Sequence, residues 1–116
     1  MTDTDQPSRA LLRPDAGTLV ARMADVPWQD AGSGFWMKPV FEDSKAGLRT
    51  LLMKVDPGTE SPPHAHDELE QIFVLEGDFY DEESTYQTGD FAVRAPGAMH
   101  TGGTKNGALV LLVYSP

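Results

Sequence analysis

The chain has 116 residues, a formal net charge of -9 and no cysteine. That size suits one domain, the acidity disfavours phosphate-bearing partners such as nucleic acid or an anionic membrane surface, and the missing thiols exclude disulfides and thiolate metal sites. The polar N-terminus has no apolar h-region, and the longest apolar run, 108–114, is too short to span a bilayer, so a cytoplasmic protein is expected.

In chain order, residues 1–16 read as a flexible N-terminal arm and 17–116 as the folded domain. Residues 18–26 carry Leu19, Val20, Met23 and Val26 at helix-like spacing, but Gly17 and Pro27 crowd the ends, which favours a strand or extended arm. Trp28 falls in a loop or edge position. From residue 35 the pattern is β, with strands expected at 35–41, 48–55, 71–75, 78–82, 85–87, 91–94 and 108–114. Glu42-Asp43-Ser44, Pro57-Gly58, Gly77, Glu82-Glu83-Ser84, Gly89-Asp90 and Ala95-Pro96-Gly97 separate them. Short, evenly spaced strands without alternating helices predict an antiparallel barrel or sandwich.

The chemistry concentrates in three histidines and one glutamate. His64 and His66 flank Ala65, and on extended backbone residues i and i+2 face the same side, so both imidazoles can reach one point. Pro62-Pro63 stiffens the approach and removes two backbone donors. Glu70 opens an apolar strand, where a carboxylate is costly to bury unless it meets a cation. His100 follows a glycine turn far downstream, and antiparallel pairing can bring it across. Three neutral nitrogens and one oxygen suit a divalent transition metal (Fe, Zn, Mn, Ni or Co) without choosing among them.

These residues carry a family resemblance. Gly58, His64, His66, Glu70 and Gly77 match the first cupin motif at every fixed position, and Gly89, Gly97 and His100 match most of the second. The second motif departs where the family has Pro and this chain has Ala95, with Pro96 one residue late, and where the family has Asn and this chain has Thr104. The resemblance covers about residues 28–115 and implies an all-β, double-stranded β-helix (jelly-roll) barrel with the metal in its mouth. More narrowly, the stretches from Val74 to Glu82 and from Gly89 to Gly97 resemble the cupin domain of ChrR-type anti-sigma factors and the small acetylacetone-cleaving dioxygenases. An anti-sigma factor of that type also has an N-terminal zinc domain using Cys and His. This chain has no Cys and no His before residue 64, so a stand-alone ChrR-like cupin is expected.

Other residues have simpler readings. Asp67, Glu68, Glu76 and Asp78 are candidate catalytic bases but read more simply as surface carboxylates, and the run Asp81-Glu82-Glu83 reads as a solvated turn. Trp36, Leu52, Met53, Phe73, Phe79, Phe91 and Met99 read as core or barrel lining, with Met99 the best candidate to face the pocket because it adjoins His100. Nothing suggests a triad around Ser61. The resemblance implies either a metal-dependent dioxygenase, or related enzyme, for a small organic substrate such as a β-dicarbonyl, or a non-catalytic sensor module. Open sheet edges, and an arm that can be exchanged, suggest a homodimer.

Overall fold

The structure is a computed structural model describing residues 10–116. Among them lie eight strands: β1 (Leu11–Leu12), β2 (Gln29–Gly32), β3 (Phe35–Asp43), β4 (Leu48–Val55), β5 (Leu69–Tyr80), β6 (Thr85–Gln87), β7 (Phe91–Arg94) and β8 (Ala108–Ser115), with one 3-10 turn at Met23–Asp25. The chain is all-β, as expected. Hydrogen bonding runs in the order β1-β3-β4-β8-β5-β6, with β2 also on β3 and β7 also on β5. β1 lies parallel to β3, and the other pairs are antiparallel.

Strict alternation on β8 buries Ala108, Val110, Leu112 and Tyr114 and turns their neighbours outward. Register then aligns residues into rows that share the inner face. Met53, Val110 and Val74 form one row, and Leu51, Leu112, Ile72 and Ala92 form the next. Full burial of such aliphatic side chains contributes roughly 1.5–3 kcal/mol each. A further row, one step towards the strand ends, is polar: Arg49, Tyr114, Glu70 and Arg94. The interior is thus apolar along most of its length and charged at one end.

Several expectations change. Gly77 does not end a strand: β5 runs unbroken through it, with a register shift between Val74 and Glu76. Gly77 has φ +80°, and a Cβ there would meet the Gly107 carbonyl oxygen at 2.0 Å. The bulge falls at Leu75, and Gly77, paired with Ala108, is a strand residue where two backbones approach closely, not a turn. Residues 18–26 form no strand; beyond the 3-10 turn they are irregular, and Lys38 Nζ donates to the Met23 carbonyl at 2.7 Å. β2, just after Trp28, and β1 were not anticipated. Of the expected arm, residues 1–9 lie outside the described residues, while Leu11–Leu12 pairs with Phe41 and Glu42.

Asp78 is buried, not a surface carboxylate. Its Oδ1 accepts the Lys105 N–H at 2.9 Å and its Oδ2 accepts the Asn106 side-chain amide at 2.8 Å. The Thr104 hydroxyl donates to the Asp78 carbonyl at 2.6 Å and accepts the Gly107 N–H at 3.0 Å. Thr104 thus takes a structural role in the loop before β8. Burial alone would raise the Asp78 carboxyl, but donors from Lys105, Asn106 and Thr104 outweigh it and hold the group below its ordinary 3.8.

Two outcomes follow from this packing. Gly77→Ala should lower stability by more than about 2 kcal/mol, lowering Tm by about 10 °C, because it adds both a left-handed alanine and a backbone clash. Gly58→Ala, where φ is +77° but no atom lies within 4 Å, should cost about 1 kcal/mol; equal losses in thermal unfolding would contradict the close approach at Gly77. Asp78 has a depressed folded pKa, so its contribution is complete above the unfolded value and is lost as pH falls through the folded one. Urea titrations at stepped pH should therefore show a shallower loss of stability below about pH 4 for Asp78→Asn than for the parent. Parallel acid limbs would contradict this.

Candidate metal centre

The three histidines lie on two irregular segments, residues 58–66 between β4 and β5 and residues 97–104 between β7 and β8. The segments run antiparallel. Thr104 N–H donates to Thr59 O at 2.9 Å, Ser61 N–H to Gly102 O at 2.8 Å, and Gly97 N–H to His66 O at 2.6 Å. His64 and His100 are paired directly, each N–H donating to the other's carbonyl at 2.8 Å. Pro62 and Pro63 supply no N–H, so the pairing cannot continue as an ordinary ladder. The turn into the second segment is closed by Ala98 N–H on Ala95 O at 3.2 Å, with Gly97 at φ +80°. Proline at the second position and glycine at the third are the residues a type II turn favours. The displaced Pro96 therefore fits this turn.

The pairing brings the imidazoles together. Ring centroids are 4.3 Å apart for His64 and His100, 5.0 Å for His64 and His66, and 5.5 Å for His66 and His100. One ligand nitrogen from each lies within 4.8 Å of the other two. His64 Nδ1 is 2.9 Å from the Pro62 carbonyl and His100 Nδ1 is 3.1 Å from the Ala98 carbonyl. A carbonyl only accepts, so Nδ1 of both rings carries a proton, and Nε2 is the atom left to serve as a ligand. Burial, only partly offset by Glu70, lowers the His66 pKa, which favours its neutral form.

Glu70 stands beside this group but outside the set of mutually close ligand atoms. Its oxygens lie 3.8 Å from His66 Nε2 and 3.9 Å from His100 Nε2. The carboxylate does meet a cation, as its burial requires, and that cation is Arg94: Arg94 Nε donates to Oε1 at 2.9 Å. The Tyr114 hydroxyl donates to Oε2 at 2.5 Å. Both partners are Glu70's cross-strand neighbours in the polar row, Arg94 on β7 and Tyr114 on β8. Two contacts use only part of a carboxylate's four lone-pair directions, so Glu70 retains acceptor capacity.

Sequence reasoning missed Arg94, Tyr114, Asp81 and Arg49. Asp81 is buried, not part of a solvated turn; its Oδ2 accepts from Arg94 at 3.0 Å and from the Tyr86 hydroxyl at 2.5 Å, and its Oδ1 from the Glu83 and Ser84 N–H groups. Burial would raise the Asp81 carboxyl, but Tyr86, the Glu83 N–H, Arg94 and the Ser84 N–H together hold it below its ordinary value. Burial and Asp81 push the Tyr86 hydroxyl up to about 12, and burial and Glu70 push the Tyr114 hydroxyl up as well. Arg49 makes two hydrogen bonds to Glu68, at 2.8 and 3.0 Å, and lies over the Tyr114 ring. The signal that could have found Arg94 was register: β5 needed a cation opposite Glu70.

A cavity of about 210 Å³ adjoins the histidines, lined by Phe35, Met37, Met53, Ile72, Phe79 and Leu112 on its apolar side. Met53 and Phe79 line it as expected. Met99 does not; it is 68% exposed, because neighbouring residues on extended backbone face opposite ways. Phe91 is also exposed rather than core. Ser61 lines the cavity and accepts the Gly102 N–H at 3.0 Å.

The residues fit a divalent metal. Three imidazoles converge, two with their Nδ1–H groups fixed by backbone carbonyls, the arrangement that orients histidine ligands in metal sites. A buried carboxylate adjoins them. Among the described residues no other group of three or more potential ligands lies close enough to hold an ion.

The ChrR cupin-like domain profile matches residues 16–116. No curated protein matches the chain significantly. Among solved structures, a complex of Rhodobacter sphaeroides SigE with the anti-sigma ChrR aligns at 26% identity and TM-score 0.69 over 82% of this chain, which spans 52% of the matched one. A putative acetylacetone dioxygenase from Methylibium petroleiphilum PM1 aligns at 14% identity and TM-score 0.78, covering 90% of this chain and 81% of its own. A protein of unknown function with a cupin-like fold from Ralstonia eutropha JMP134 aligns at 22% identity and TM-score 0.65 over 72% of this chain, which spans 56% of that protein. The last two likenesses carry the fold, a jelly-roll cupin. With the family profile spanning nearly all of the described residues, the chain belongs to the ChrR cupin-like domain family.

Proposed function

We propose that His64, His66 and His100, with Glu70 as the fourth ligand, hold one divalent transition metal, drawn from Fe, Zn, Mn, Ni and Co. We further propose that the metal centre serves an enzyme acting on a small organic molecule, with a β-dicarbonyl dioxygenase as its iron-loaded form. The observation that supports this most is the convergence of three imidazoles beside a cavity of about 210 Å³. When bound, such a metal supplies Lewis acidity towards a carbonyl oxygen and, if redox-active, a place for dioxygen.

The chain's own residues would do the rest. The Pro62 and Ala98 carbonyls hold the His64 and His100 rings in one tautomer. Arg94 and Tyr114 orient the Glu70 carboxylate, and Asp81 anchors Arg94. Phe35, Met37, Ile72 and Leu112 present an apolar wall that limits water.

A second reading is a sensor module that binds a metal or ligand and signals through a partner. The ChrR cupin-like family and the 26% identity to the SigE–ChrR complex favour it. Oxygen uptake by the iron-loaded protein with a panel of diketones supports the enzyme; metal-dependent capture of a partner without uptake supports the sensor. We also propose a cytoplasmic homodimer. Phe91, Val93 and Met99 are exposed on and after β7, which among the described residues pairs with β5 and no other strand, so its other edge is available to a second copy. Among the described residues no helix is long and apolar enough to cross a membrane.

Two measurements test these proposals. Protein purified without an affinity metal should contain about one transition metal ion per chain, and His66→Ala or His100→Ala should lower metal affinity roughly tenfold or more while the far-UV spectrum is kept. Unchanged metal content in both variants would overturn the metal centre. Light scattering should give twice the chain mass, and a monomer at all concentrations would contradict the dimer.

A further inference from the structure

We infer that the outer face of the sheet across β4, β8, β5 and β7 is a docking surface for a second copy of this chain, packed face to face. This rests on the homodimer reading above and names the surface that carries it. From Ala108 to Tyr114 every residue of β8 is apolar or aromatic. An antiparallel strand with one wet face alternates apolar and polar residues, whereas a continuous apolar run belongs to a strand covered on both faces. The inner face of β8 is buried, but Leu109, Leu111 and Val113 point outward and stay partly exposed.

Register extends this pattern across the sheet. Leu52, Leu111, Phe73 and Phe91 make one outward row, and Thr50, Val113, Gln71 and Val93 make the next. Charged residues are 23% of the chain, yet none stands in these two rows. Lys54 and Glu76, on either side of Leu109 in the row beyond, give the surface a charged rim. An uncharged centre inside a charged rim is how protein–protein interfaces are built. Exposure is greatest on β7, where Phe91 is 57% and Val93 61% exposed. On the far side β3 is already covered, since Lys38 Nζ donates to the Met23 carbonyl at 2.7 Å and lies over the Trp28 ring.

Charge and shape identify the occupant. Chains of net charge -9 repel one another, so two copies approach most easily through an uncharged surface. A basic partner drawn by the acidity would seek carboxylates, which these rows lack. The face also complements itself. Its β5-β7 half carries the Phe73 and Phe91 rings, with centroids 6.3 Å apart, and its β4-β8 half carries Leu52 and Leu111. A two-fold axis along the strands between β8 and β5 sets Leu111 against the partner's Phe73 and Leu52 against the partner's Phe91, each contact occurring twice. Pairing through the free edge of β7 alone would leave this face in water.

Sedimentation equilibrium of the full chain, of Thr50→Lys and of Phe91→Lys tests this. Thr50 lies on β4, three strands away from β7, so a contact at the β7 edge would not sense it. The parent chain should be a dimer, and each variant should raise the dimer dissociation constant roughly tenfold or more, with the far-UV spectrum unchanged. Gln71→Lys, a polar exchange in the same row, replaces Thr50→Lys if that variant does not fold. An unchanged constant in either folded variant overturns the face and leaves the homodimer standing. A parent chain that is monomeric at all concentrations overturns both.

Discussion

The reciprocal backbone hydrogen bonds between His64 and His100, both at 2.8 Å, are the constraint on which the candidate site depends. They join two segments that are separated by three strands in sequence and that belong to no named strand. Direct pairing of this kind fixes two Cα atoms at a sheet-like spacing and sends both side chains to one face. His66 joins them because it lies two residues beyond His64 on extended backbone, and its carbonyl is tied to the Gly97 N–H. The histidines are thereby gathered without a continuous strand, on loops pinned by β-type pairing.

The second organising feature is the polar row Arg49, Tyr114, Glu70 and Arg94 across β4, β8, β5 and β7. It closes an interior that is otherwise aliphatic. Placing charges there is tolerable because each is matched: Glu70 by Arg94 and Tyr114, Arg94 by Asp81, Asp81 by Tyr86 and two backbone N–H groups. Among the described residues no buried side-chain nitrogen or oxygen lacks a hydrogen-bond partner. A buried network satisfied throughout is rigid, which holds Glu70 beside the histidines.

Much of this was legible in the sequence, for local reasons. Strand spacing and turn pairs located β4, β6 and β7 at their observed bounds, and i, i+2 parity grouped His64 with His66. Long-range register was not legible. Arg94 and Asp81 look like surface charges in an acidic chain until β5 and β7 are paired, and Asp78 looks the same until the loop at Thr104 folds onto it. Gly77 looks like a turn because a glycine in a strand signals a turn and a close backbone approach equally well, and only the position of Gly107 decides between them. The buried Glu70 does meet a cation, and the cation in contact with it is Arg94, which only strand register places there.

The most direct test of the central claim is X-ray absorption at the metal edge of protein loaded with one equivalent of zinc or cobalt. The expected spectrum has nitrogen and oxygen scatterers only, with outer-shell scattering from three imidazoles. A first shell without imidazole scattering, or with fewer than three rings, would contradict it.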